Sequence, residues 1–186
     1  MRWQTPAPVT SRRPASVHGV SASCLAVFAL TSLLLFSPVW AVTMATDPKG
    51  FEGIPWGATL SEAPTFPLTY SEDRIKEYQL KQEPLLLGNV SVQSMKFSAV
   101  DGRFARVTVR YQGAQQHAAM LQHLQALYGP LDLTPGQTMT GANQQYNWRG
   151  PETEVNLTYD GKLETGVVFF ESRTWGPKFA EVMGGF

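Results

Sequence analysis

SVQSMKFSAVDGRFARVTVRY, residues 91–111, is the stretch on which the fold class turns. Asp101-Gly102 sits between two alternating runs, and an Asp-Gly pair is the mark of a tight hairpin turn in which both central residues take positive φ. In the second run Ala105, Val107, Val109 and Tyr111 share one face, and Arg106, Thr108 and Arg110 the other. The first run changes phase. Val90 and Val92 have one parity and Met95, Phe97 and Ala99 the other, so a bulge or break is expected near Gln93-Ser94.

Working outward, Gln115 to Tyr128 reads as an amphipathic helix. His117, Met120, Leu121, Leu124 and Tyr128 fall within about 100° of arc. Gly129-Pro130 stops it, glycine taking the left-handed cap and proline being unable to continue. Leu131 to Asn143 is expected as a loop. Beyond it Tyr146 and Trp148 share one side of a strand, Thr153, Val155, Leu157 and Tyr159 one side of a second, and Gly166 to Phe170 forms a third. On the amino-terminal side, Tyr70 to Lys81 is ambiguous between helix and strand. One-sided alternation calls for an antiparallel sheet with a single covered face. The expected fold is α+β, an antiparallel sheet of about four to five strands on one main helix, preceded by a signal peptide. The expected organisation is a flexible amino terminus over 42–50, one domain over 51–172, and a carboxy-terminal tail over 173–186 without a clear period.

The signal peptide is read from residues 1–41. Arg2, Arg12 and Arg13 precede an uncharged stretch, Ala22 to Ser37, and Val39-Trp40-Ala41 supplies small residues for cleavage after Ala41. Thr43-Met44-Ala45 offers an alternative after Ala45. The rival is an uncleaved inner-membrane anchor, but Pro38 interrupts the apolar run. Lipidation needs a cysteine at the end of that run, and Cys24 stands at its beginning. The Arg12-Arg13 pair is followed by ProAlaSer, where a twin-arginine signal carries a bulky apolar residue. The expected location is the periplasm, with the membrane involved only through the leader if it is uncleaved.

Three of the 15 Lys and Arg residues and none of the 15 Asp and Glu residues lie before residue 42, so the remainder carries 12 basic against 15 acidic groups, a net −3. A mildly acidic domain has no electrostatic reason to hold nucleic acid. Cys24 is the one cysteine, so the exported part has no disulfide, thiol nucleophile or thiolate metal site.

The sequence contains no GxSxG, HExxH or GxxxxGK[ST] motif, and no catalytic residue, metal ligand or cofactor is assigned. His117 and His123, six apart, are separated by about 120° of arc on the helix and do not chelate one ion from it. Arg106, Arg110 and Lys96 would form either a basic patch on the open sheet face or a solvated face balanced by Glu154. The aromatic residues offer two readings. Phe51, Trp56, Tyr146, Trp148 and Tyr159 are core, or Trp56, Tyr146 and Trp148 line a ligand or partner groove with Arg149 at its rim.

The run FEGIPWGATLSE, Phe51 to Glu62, resembles the opening of small exported domains of unknown function from Gram-negative bacteria. Their pattern continues with an AspGly hairpin, a helix ending LeuTyrGlyPro (Leu127 to Pro130) and a TrpArgGly strand (Trp148 to Gly150). The resemblance spans Gly50 to about Ser172 and implies compartment and fold, not chemistry. A looser, fold-level likeness connects the chain with BamE-like outer-membrane assembly lipoproteins, whose lipidated cysteine it lacks. The expected function is a non-enzymatic binding or scaffolding role in the cell envelope, with an envelope protein or cell-wall-linked partner. The alternative is a small hydrolase whose site, drawn from Glu152, Glu154 or His117, assembles only in the fold.

Overall fold

A computed structural model describes residues 41–131 and 137–184. The signal peptide expected over residues 1–41 lies outside them, apart from Ala41. The elements run β1 (Val42–Thr43), β2 (Gly50–Phe51), β3 (Ile54–Pro55), β4 (Leu68–Glu72), β5 (Ile75–Gln79), β6 (Leu86–Leu87), β7 (Val90–Ser91), β8 (Ser94–Val100), β9 (Arg103–Gln112), α1 (Ala114–Tyr128), β10 (Asn143–Arg149), β11 (Thr153–Asp160), β12 (Thr165–Ser172) and α2 (Gly176–Gly184). The chain is α+β, as expected, but its main sheet is larger than the four to five strands anticipated. Eight strands lie in the order β1-β10-β11-β12-β9-β8-β5-β4. All neighbours are antiparallel except β1 and β10, which run parallel.

The central hairpin forms as the Asp-Gly pair requires, with Asp101 at φ 52° and Gly102 at φ 73°. The phase change before it is a break. Val90 belongs to the separate β6–β7 hairpin, Val92 N–H donates to Leu85 O, and pairing with β9 resumes where Gln93 N–H donates to Arg110 O. A bulge does occur further on. The register passes from Ser98 opposite Arg106 to Ala99 opposite Phe104, leaving Ala105 as the extra residue. An extra residue switches side-chain parity, so Phe104 enters the main core while Ala105 leaves it. The expectation that Ala105 shares a face with Val107, Val109 and Tyr111 is thereby corrected.

Helix α1 buries His117, Met120, Leu124 and Tyr128 in a core with Val107, Val109, Leu157, Val168 and Phe170. Gly129, at φ 102°, ends it and donates its N–H to Gln125 O at 2.9 Å.

Three local expectations change. Tyr70 to Lys81 resolves into the strand hairpin β4–β5. Residues 173–184 are no featureless tail: α2 buries Phe179 against Ile75, Val100 and Ala105 on the second sheet face, with Trp175 and Val182 alongside. The sheet is therefore covered on one face by α1 and locally on the other by α2. Residues 42–50, expected to be flexible, hold specific partners. Val42 and Met44 are buried, Met44 N–H donates to Arg149 O and Ala45 N–H to Tyr128 O. A two-residue strand whose partner lies about a hundred residues away has no local signature, which is why composition alone reads it as frayed.

Candidate functional site

The alternation of β10 separates the residues proposed to share a groove. Tyr146 and Trp148 face the core and Arg149 faces the opposite way. Trp148 is 0% exposed; its Nε1–H donates to Gly129 O at 3.0 Å and its ring lies near Tyr128. It offers no surface to a ligand. Trp56 is half-buried, tilted on Phe104 with ring centroids 4.8 Å apart, and its Nε1–H donates to the Thr153 hydroxyl at 2.9 Å. Arg149 is engaged with Glu154, through Nε at 3.0 Å and a second guanidinium nitrogen at 2.8 Å. Together with Glu171, Arg173 and the start of α2 it lines a charged recess of about 320 Å³ on the second face. The single groove of Trp56, Tyr146 and Trp148 rimmed by Arg149 is thus replaced by two tryptophan anchors and a separate ionic recess. The anticipated basic patch is likewise largely paired, Lys96 with Glu77 at 3.2 Å and Arg106 with Glu171. Arg106 also lies over the rings of Phe169 and Phe179.

Tyr146 belongs to a buried polar network around His117. The Tyr146 hydroxyl donates to Gln144 Oε1 at 2.6 Å, and Gln144 Nε2 donates to Gly141 O at 3.2 Å. His117 Nε2 lies 2.9 Å from the same Oε1, and its Nδ1 lies 2.8 Å from the Tyr111 hydroxyl. A carbonyl oxygen only accepts, so the proton is assigned to Nε2 and Tyr111 donates to Nδ1. Both nitrogens of a neutral imidazole are then satisfied. Tyr159 stacks on the ring at 3.8 Å. Gly166, opposite Tyr111 in the sheet, leaves the room that the tyrosine ring fills; a Cβ there would overlap it. Burial holds the His117 pKa below its ordinary value, against the opposing pull of the Gln144 hydrogen bond. Burial likewise raises the Tyr111 hydroxyl, with the Tyr159 and Tyr146 hydroxyls adding to the effect. Among the described residues no carboxylate joins this network. Glu154 projects from β11 on the opposite side from Val155 and Leu157, and Glu152 pairs with Lys49 at 3.5 Å. His117, Glu152 and Glu154 do not form one site, and among the described residues no three His, Cys, Asp or Glu side chains gather as metal ligands would.

A different recess has the character of a binding site. Helix α1 packs on β9 and β7, and the β5–β8 part of the same sheet face is covered by connecting segments instead. Phe66 stacks on Tyr78 at 5.2 Å and meets Phe97 edge-on at 4.9 Å, and Phe51 packs on Phe97 and Phe170. Between these covers lies a groove of about 600 Å³, lined by Ile54, Phe66, Leu80, Leu86, Met95 and Phe97, with Glu52, Gln82 and Gly88 also on its wall. Met95 and Phe97 form a buried floor, while Leu86 is 43% exposed at the rim. Its volume falls in the range of small-ligand and side-chain pockets. None of the candidate site residues read from the sequence lines it, although Ile54 and Glu52 stand inside the FEGIPWG run.

The amino-terminal motif is held by a clasp that sequence reasoning did not find. Asp47 Oδ2 accepts the N–H of Glu152 at 2.6 Å and of Thr153 at 3.2 Å. Its Oδ1 accepts the Thr153 hydroxyl at 2.6 Å and the Lys49 N–H at 2.9 Å. Gly150 permits the approach, since a Cβ there would sit 2.5 Å from Oδ2. Partial burial pushes the Asp47 pKa up, but hydrogen bonds from Thr153, Glu152 and Lys49 outweigh it and hold the carboxyl below its ordinary 3.8.

Comparison with known proteins gives no match, whether to a family model, a curated protein or a solved structure.

Proposed function

We propose that this is an exported, periplasmic, non-enzymatic binding domain of the cell envelope. Its groove over Met95 and Phe97 receives apolar side chains of an envelope protein partner. The observation that carries the reading is the groove itself, an apolar floor of Met95 and Phe97 with Leu86 exposed at its rim. The exposed rim residue Leu86 is costly to leave in water, and a partner that covers it gains its burial, roughly 25 cal/mol per Å². An open rim with Glu52 and Gln82 on its wall suits side chains presented from another protein better than a wholly enclosed acyl chain. The motif resemblance to exported Gram-negative domains and the leader support the compartment.

The test is a photo-crosslinking residue at Leu86 in the full chain, expressed in a Gram-negative host. A discrete protein adduct is expected, lost when Ile54→Glu is added and not formed from a control position at Lys76 on β5. No adduct at Leu86, the same adduct from Lys76, or an adduct of lipid mass alone would each count against a protein-binding groove.

A further inference from the structure

Residues 42–45 bear on where an exported chain is cut. Both bonds offered by the sequence follow a small residue, Ala41–Val42 with Val39 two positions before the alanine and Ala45–Thr46 with Thr43 there. In the fold these bonds are not equivalent. Val42 stands opposite Trp148 and Thr43 opposite Arg149 in the parallel β1–β10 pair. Val42 and Met44 are each 7% exposed and belong to the main core. Ala45 N–H reaches the Tyr128 carbonyl at the end of α1 at 3.0 Å, and the Ala45 methyl lies 3.7 Å from where a Gly129 Cβ would be. Gly129 O in turn takes the Trp148 indole proton. The four residues therefore close the corner where β10, Trp148 and the carboxy-terminal end of α1 meet.

We propose that the protein accumulating after export begins at Val42, with cleavage at Ala41–Val42, and that a chain cut at Ala45–Thr46 cannot complete this corner. The inference rests on reading residues 1–41 as a cleaved leader. A signal peptidase acts on an unfolded chain, so the fold does not select the bond. It determines which product survives. A chain starting at Thr46 loses β1, leaves the Arg149 and Tyr128 carbonyls without these partners, and uncovers apolar surface around Trp148, making it the better protease substrate. Ala41 is also the nearer site, five residues past Phe36 at the end of the apolar run, against nine for Ala45.

Intact mass and terminal sequencing of the exported full-length gene product read the start directly, and Val42 is expected. The partner experiment is Ala41→Leu, which places a side chain too large for the peptidase at the first bond and is itself removed if the second is used. Its product, starting at Thr46, should melt roughly 10 °C or more below the wild-type product and accumulate at a several-fold lower level. A variant left uncut in the membrane also supports Ala41 as the bond used. A wild-type start at Thr46, or a Thr46 product that melts with wild type, overturns the proposal while leaving the leader intact. Recovery of uncut wild-type chain overturns both.

Discussion

Asp47→Ala tests whether the amino-terminal segment is part of the domain. The substitution removes a carboxylate that accepts four hydrogen bonds, from Lys49 N, Glu152 N, Thr153 N and the Thr153 hydroxyl. Lys49 and Glu152 are exposed, so water replaces the acceptor there at small cost. Thr153 is 0% exposed, and its two donors have no such recourse. An orphaned buried donor costs about 1–3 kcal/mol, so the expected loss is about 2–4 kcal/mol, against the roughly 5–15 kcal/mol that holds a typical domain. That is a fall of about 6–15 °C in melting temperature. Asp47→Asn keeps an acceptor but loses the charge, and should fall between wild type and alanine. Urea denaturation of a chain beginning at Val42 measures both, and a cycle with Thr153→Val should show coupling on the order of 1 kcal/mol or more. The pH dependence has a definite sign. Asp47 has a folded pKa below 3.8, its unperturbed value, so its contribution is complete above that value and disappears as pH falls through the folded pKa. The alanine variant should lack this portion of the acid loss. An Asp47→Ala chain within about 0.5 kcal/mol of wild type, or with an unchanged acid slope, would refute the clasp.

Two further outcomes follow from the core. Trp148→Ala should lose about 3–5 kcal/mol, while Trp148→Phe, which keeps most of the ring but abandons Gly129 O, should lose about 1–3 kcal/mol; denaturant titration separates them, and a normal melt for the alanine variant would mean the residue is not packing. Because burial lowers the folded pKa of His117 below its ordinary 6.5, stability should be full above that value and fall as pH drops through the folded pKa, and His117→Gln should remove that segment of the stability–pH curve.

The parts of the fold written locally were legible. Asp101-Gly102 fixes a turn by its own backbone preference, the spacing of His117, Met120, Leu124 and Tyr128 fixes a helix face, and Gly129-Pro130 ends it. The parts that depend on distant partners were not. β1 is two residues long and exists because β10 offers an edge. At the bulge, Ala105 is small and apolar enough to suit either face, so strict alternation assigns it to the wrong one. β4 is the edge strand and β5 its inner neighbour, and the exposed or half-buried charges Glu72, Lys76 and Glu77 on them imitate a solvated helix. In α2 a signal was present, since Trp175, Phe179 and Val182 recur at helical spacing, but Gly176-Pro177 masks it. Proline is tolerated in a helix's first turn, where its missing N–H has no intrahelical partner to lose.

The site shows the same division. Large aromatics attract a binding hypothesis, yet in FEGIPWG they serve as anchors, Phe51 buried and Trp56 half-buried against the core. Phe51 packs on Phe97 and Phe170, and Trp56 on Phe104 with its indole proton on Thr153. Between these anchors Glu52 and Gly53 turn the chain at positive φ, 48° and 79°, and Phe51 pairs with Ile54 across the turn. The anchors hold the turn so that Ile54 and Glu52 stand on the wall of the groove above Met95 and Phe97. A motif of this kind divides its labour by position: the large aromatic residues position the loop, and the plainer residues between them line the groove. Trp56→Ala should therefore lower stability first and binding only as a consequence. Ile54→Glu, on a partly buried side chain at the groove wall, should abolish capture at Leu86 while lowering the melting temperature less than Trp56→Ala does.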